Sequence, residues 1–120
     1  AELEGVEFEI QQFSKARIEQ VESRINGLFR IVKFKMFEQQ INGGEIETCE
    51  AMVNGVPFSD LNDAMKINAG LDIINAISNA NGISAPIFID NRESVTEIVS
   101  VMSQVINLVV DRNCKTLKID

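Results

Sequence analysis

Besides Asn26-Gly27, three Asn-Gly pairs divide this chain, at Asn42-Gly43, Asn54-Gly55 and Asn81-Gly82, the first of these three extended by Gly44. Asn and Gly enter the left-handed backbone region more cheaply than other residues, so each pair marks a place where the chain reverses or a helix stops. No regular element is expected to cross these points. The first two pairs bracket Ile46 to Val53, and before them Arg30 to Gln39 alternates, with Val32, Phe34 and Met36 on one side and Lys33 and Lys35 on the other. With Val56 to Phe58 as a short third strand, the spacing predicts a β-meander. The third pair follows a helical pattern, Ala64, Ile67, Leu71, Ile74 and Ile77, and reads as its left-handed stop. Ser59 and Asp60 stand where that helix, Leu61 to about Asn79, expects its N-cap.

Residues 1–28 also read as a helix. Leu3, Val6, Ile10 and Phe13 recur at spacings of three and four, and after a one-residue slip Ile18, Val21, Ile25 and Leu28 resume the pattern. Two readings fit this seam: an amphipathic helix packed on its own domain, or the end of a coiled coil interrupted by a stutter. The helical pattern begins at the first residue, which reads as a cut through a longer helix. Beyond the third Asn-Gly pair, Pro86-Ile87-Phe88-Ile89 is an apolar run entered by proline and closed by Asp90-Asn91, the pattern of a buried parallel strand. Glu93 to Met102 is expected to be a helix and Val105 to Val110 a second buried strand. Asp111-Arg112-Asn113 then turns into a final strand, Thr116 to Ile119.

Composition limits the chemistry available. Among 120 residues there are 11 Lys and Arg against 18 Asp and Glu, a net charge of −7. Phosphate backbones are gripped by clustered cations. The basic residues here are scattered, so this segment is not expected to grip nucleic acid by itself. Histidine is absent, which removes Ser-His and Cys-His catalysis. The two cysteines, Cys49 and Cys114, lack a zinc-site or disulfide-framework spacing and read as free thiols of a cytoplasmic protein. No apolar run is long enough for a membrane span.

An Asp at the carboxyl end of a buried strand can reach a magnesium ion, and ligands of α/β proteins gather at that edge of the sheet. Asp90 is so placed, and a helix N-terminus at Ser59 offers backbone N–H groups to a phosphate. Each feature has a plainer meaning, a turn residue or a simple cap.

Several longer stretches carry a family resemblance: Phe37-Glu38-Gln39-Gln40-Ile41-Asn42-Gly43-Gly44, Asn54-Gly55-Val56-Pro57-Phe58-Ser59-Asp60-Leu61-Asn62, Ile67-Asn68-Ala69-Gly70-Leu71-Asp72-Ile73-Ile74-Asn75 and Ala85-Pro86-Ile87-Phe88-Ile89-Asp90-Asn91. Across most of residues 28 to 110 the chain resembles the head domains of SMC-like ATPases related to SbcC-type repair nuclease subunits. The resemblance implies an α/β fold: the C-terminal lobe of an ABC/SMC-type P-loop ATPase head, with residues 1–120 as a single domain. A coiled-coil-end helix (1–28), the meander (29–58), a signature helix (59–82) and a Walker B strand with a following helix and strands (83–120) make up that lobe.

On that resemblance Ser59, Asp60 and Asn62 stand at the ABC signature and touch ATP held by a second head, and Asp90 is the Walker B ligand of magnesium. The family's catalytic Glu is replaced by Asn91, an amide that cannot serve as a base, which leaves Glu93 as the candidate. The signature glycines are also missing. No Gly-x-x-x-x-Gly-Lys-Ser/Thr loop occurs in the chain, so ATP and magnesium are expected only in the complete parent head, and none with this chain alone. The partners implied are an N-terminal phosphate-loop lobe of the same parent, a second head, DNA through the parent, and a nuclease subunit. The alternative is a nucleotide-free dimerising interaction module or phage adaptor. A small stand-alone hydrolase is disfavoured by the lack of histidine and of a carboxylate dyad.

Overall fold

The computed structural model describes residues 1–120, as mixed α and β structure gathered into two compact units, residues 1–61 and 62–120. The sequence reads as a single domain.

In the first unit, helix α1 runs Glu2–Asn26 and the meander follows: β1 Val32–Gln39, β2 Glu45–Val53 and β3 Val56–Pro57, in the order β1-β2-β3. Glu2 and Glu4 lie in the first turn of α1 and Arg24 in the last, signs that suit the helix dipole. β1 and β2 pair antiparallel from Val32↔Val53 to Gln39↔Glu45, with a bulge between Lys35 and Phe37 that interrupts the expected alternation at Met36. Their loop closes by Gly43 N–H to Gln40 O and Gln40 N–H to Gly44 O, with Gly43 at φ +83. Asn54 and Gly55, at φ 52 and 79, make the tight turn into β3.

The free edge of β1 is closed by side chains of α1. The Asn26 amide donates to Phe34 O at 3.1 Å and accepts from Phe34 N–H at 2.7 Å, and Glu22 accepts from Met36 N–H at 3.2 Å. Asn26 thus supplies the two bonds that another strand would have made, which blunts an edge open to association. The Phe29 and Phe34 rings meet at 5.1 Å. α1 itself divides in two. Ile18 and Ile25 are half-buried, whereas Leu3 and Phe13 are 85% and 71% exposed, with Val6, Phe8 and Ile10 exposed beside them. A helix packed on its own domain therefore describes the second half of α1 only, and there through Ile18 and Ile25, since Val21 and Leu28 of the same seam are exposed.

In the second unit, helix α2 spans Asp63–Asn81 and stops at Gly82 in the left-handed conformation, as the third Asn-Gly pair predicts. Strands β4, Ile87–Ile89, and β5, Val105–Asn107, pair in parallel from Ile87↔Val105 to Ile89↔Asn107. The core is Leu71, Ile87 and Ile89, with Ile67, Ile98, Val99, Val101 and Val105 packed against it. β4 is buried on alternate residues rather than throughout: Phe88 is 66% exposed.

Three expectations for this unit fail. Glu93–Met102 is not a helix; only a single 3₁₀ turn forms, Arg92–Ser94. The apolar spacing Val95, Ile98, Val99, Met102 imitates a helix, but Val95, Thr96, Ile98, Val99 and Val101 are β-branched and crowd a helical backbone. β5 stops at Asn107, where its partner β4 runs out. The final strand does not form: residues 116–119 make no ladder, and Leu117 and Ile119 stay exposed. The turn at Asp111–Asn113 does form, with Asn113 N–H to Asp111 Oδ1 and Cys114 N–H to Asp111 O.

Candidate functional site

Ser59 and Asp60 belong to the first unit, and Asn62, Asp90 and Glu93 to the second. Ser59 and Asp60 sit in a 3₁₀ turn, Phe58–Asp60, that ends at Leu61 in an extended conformation. They do not cap α2. The cap is Asn62, whose side-chain Oδ1 accepts from Met65 N–H at 2.8 Å. The chain needs a β-region residue with a short acceptor immediately before the first helical residue, and Asn62 meets that condition. Asp63 in the first turn supplies the negative charge that the helix dipole favours. Ser59 Oγ donates to Asp60 Oδ1 at 3.2 Å, so the serine lies beside a carboxylate rather than at a ring of free N–H groups. The phosphate-binding helix end expected at Ser59 is therefore not formed there.

Asp90 is exposed at the carboxyl end of β4 and accepts Asn91 N–H on Oδ1 at 2.8 Å. Asn91 is left-handed, φ 55 and ψ 37, a conformation asparagine tolerates better than most residues. The turn is pinned on both sides. Arg92 N–H donates to Leu108 O at 3.2 Å, and the Arg92 guanidinium donates to Val95 O. Ser94 Oγ closes back on Asn91 O at 2.8 Å. Glu93 is exposed within this turn, three residues beyond Asp90.

Asp90 is a single carboxylate: no group of three or more His, Cys, Asp or Glu gathers to hold a metal ion. Magnesium commonly keeps most of its waters and takes only one or two protein carboxylates beside substrate phosphates. Asp90 fits one such contribution, with its second oxygen outside the bond to Asn91. No Gly-x-x-x-x-Gly-Lys-Ser/Thr loop accompanies it in the sequence.

Sequence reasoning passed over the polar residues of α2. Asp72 is 2% exposed, the one buried charged residue, and it is engaged with partner groups. Asn68 and Asn75 hold the chain that follows the Asp90 turn. Asn68 accepts from Val99 N–H at 2.7 Å and donates to Glu97 O at 2.9 Å, and Asn75 donates to Ser100 O at 2.9 Å. Their seven-residue spacing, two turns of one helix face, was the available signal. The chain matches no family model, no curated protein and no solved structure, and no helix is long and apolar enough to cross a membrane.

Proposed function

We propose that this chain is the C-terminal half of an SMC-like ATPase head, which joins a phosphate-loop lobe of the same parent to bind magnesium-ATP and pairs with a second head in DNA repair or recombination. The observation that carries the reading is Asp90, exposed at the carboxyl end of a strand in a parallel pair, followed by a turn held in place by Arg92 and Ser94. A carboxylate so held is a ready partner for a hydrated magnesium ion on a nucleotide. In that head Asp90 serves the metal. Ser59, Asp60 and Asn62 approach the neighbour's nucleotide, with Asn62 at the helix start, and Glu93 stands in as the base. Alone, the chain is inert toward ATP, and the parent is cytoplasmic.

The test is calorimetric titration of magnesium-ATP into the chain alone and into the chain joined to its phosphate-loop lobe. Binding in the joined form only, weakened about tenfold or more by Asp90→Ala, is the expected result. Ser59→Arg in the joined form is expected to spare binding and block ATP-induced pairing. Absence of binding in both forms would refute the ATPase reading. It would favour the alternative, a nucleotide-free interaction module, which draws its support from the exposed Leu3, Val6, Ile10 and Phe13 stripe of α1.

A further inference from the structure

Asparagine followed by glycine is a chemically reactive pair as well as a turn signal. With no side chain on the glycine, its main-chain nitrogen can swing onto the Cγ of the preceding asparagine and close a five-membered ring. Four such pairs occur, at residues 26–27, 42–43, 54–55 and 81–82, and the fold treats them differently. Ring closure is fastest where both the side-chain amide and the glycine N–H are free. At Asn26 both are engaged: the amide bonds Phe34 N–H and O at 2.7 and 3.1 Å, and Gly27 N–H donates to Ser23 O at 3.0 Å. At Asn81 the amide donates to Ile77 O at 2.8 Å, and Gly82 N–H to Ser78 O. At Asn42 the side chain accepts from Gly44 N–H at 3.1 Å, and Gly43 N–H donates to Gln40 O at 3.0 Å. Asn54 is the exception. It is exposed, and neither its amide nor the N–H of Gly55 makes a hydrogen bond. The space beside Gly55 is open, with nothing within 4 Å of where a Cβ would stand.

We propose that Asn54 is a site of spontaneous covalent modification, converting to aspartate and isoaspartate ahead of the other three pairs. The Gly55 nitrogen forms a bond to Asn54 Cγ, the Cγ–Nδ2 bond breaks, and ammonia leaves carrying the hydrogen of Gly55 N–H. Water then opens the cyclic imide and returns a hydrogen to the nitrogen. Breaking the new N–Cγ bond gives aspartate; breaking the original peptide bond gives isoaspartate, with the chain running through the former side chain. Ring closure needs Asn54 to leave its left-handed conformation, φ 52. The turn is closed on one side by β3, which makes only two pairs, Met52↔Pro57 and Val53↔Val56, and Pro57 has no N–H to lend. Opening so short an edge is a local event. Each of the other pairs must release two or more hydrogen bonds, each slowing the reaction by about fivefold. The two products differ in consequence. Aspartate suits the same two-residue turn and adds a negative charge. Isoaspartate lengthens the main chain by one carbon in a turn that two residues fill, and so detaches β3 from β2. The site stands apart from nucleotide binding.

The test incubates the full chain at neutral and at mildly alkaline pH, folded or in denaturant, and maps the products by proteolysis and mass spectrometry. Asn42 and Asn54 fall in one tryptic peptide, residues 36–66, so fragment ions assign the site. In denaturant the four pairs are expected to convert at similar rates, since each precedes glycine. In the folded chain Asn54 is expected to lead by about tenfold or more, the factor that two hydrogen bonds supply. Its rate is expected to rise with pH, because the attacking nitrogen must lose its proton. Another pair in the lead, or four equal rates in the folded chain, overturns the proposal. Ion exchange then separates the aged forms. Amide exchange at Val53 and Val56 is expected to be faster in the isoaspartate form and unchanged in the aspartate form, and equal protection in both overturns the release of β3.

Discussion

Asparagine sets several of the local decisions in this chain, each by a different use of one short amide. Asn54 and Asn91 accept positive φ, Asn62 caps α2, Asn26 closes an edge, and Asn68 with Asn75 holds the backbone of residues 97–100. The cap assignment gives a direct comparison. Asn62→Ala is expected to cost about 1 kcal/mol of stability, whereas Ser59→Ala, which removes only a bond to the adjacent exposed Asp60, is expected to stay within about 0.5 kcal/mol. Thermal unfolding of the two variants measures both, and a larger loss at Ser59 would return the cap to where the sequence pattern suggests it. Asp72 is the other residue-scale test. Its carboxylate is buried and every buried polar side-chain atom is partnered. Asp72→Ala is therefore expected to cost about 1–3 kcal/mol, since it leaves those partners unmet. Denaturant unfolding that shows no loss would mean that the site refills with water.

At the scale of elements, α1 carries two distinct halves. The second half serves β1, through Asn26 to Phe34 and Glu22 to Met36. Asn26→Ala should cost about 1–3 kcal/mol because two backbone groups of an edge strand lose their partner, while Lys33→Ala, which removes one exposed bond to Asn26 O, should cost little. The first half has no such duty. Leu3→Ser with Phe13→Ser is expected to leave stability within about 0.5 kcal/mol and to reduce any self-association seen by sedimentation. A large loss of stability would show that the stripe is covered within the chain. The helix expected over Glu93–Met102 is the instructive failure of this scale. Its periodicity was present, but β-branching disfavoured it, and Asn68 offered the backbone partners for an open path.

For the molecule as a whole, charge is the governing quantity. With a net charge of −7 and no cationic cluster in the sequence, the chain alone is expected to show no saturable binding to duplex DNA even at low salt, where phosphate contacts are strongest. Fluorescence anisotropy with a labelled duplex measures this, and tight, salt-sensitive binding would mean that folding collects the scattered Lys and Arg onto one face. The small core of the second unit, Leu71, Ile87 and Ile89, also marks a chain with little apolar burial in reserve, so single substitutions there are expected to be felt strongly.

Local rules were sufficient for the turns, the long helices and the pairing of the first hairpin. Asn-Gly pairs, apolar spacing and alternation are written in adjacent residues, and their energetics are decided within a few residues of the signal. The cap moved from Ser59 to Asn62 for a local reason the pattern did not show: the 3₁₀ turn of Phe58–Asp60 and extended Leu61 delay the helix by two residues. Tertiary structure opened residues 95–104 and shortened β5 to the length of its partner. The open path of residues 95–104 goes with hydrogen bonds between residues 31 and 25 positions apart, Asn68 with Val99 and Asn75 with Ser100, and no local pattern encodes a partner at that distance.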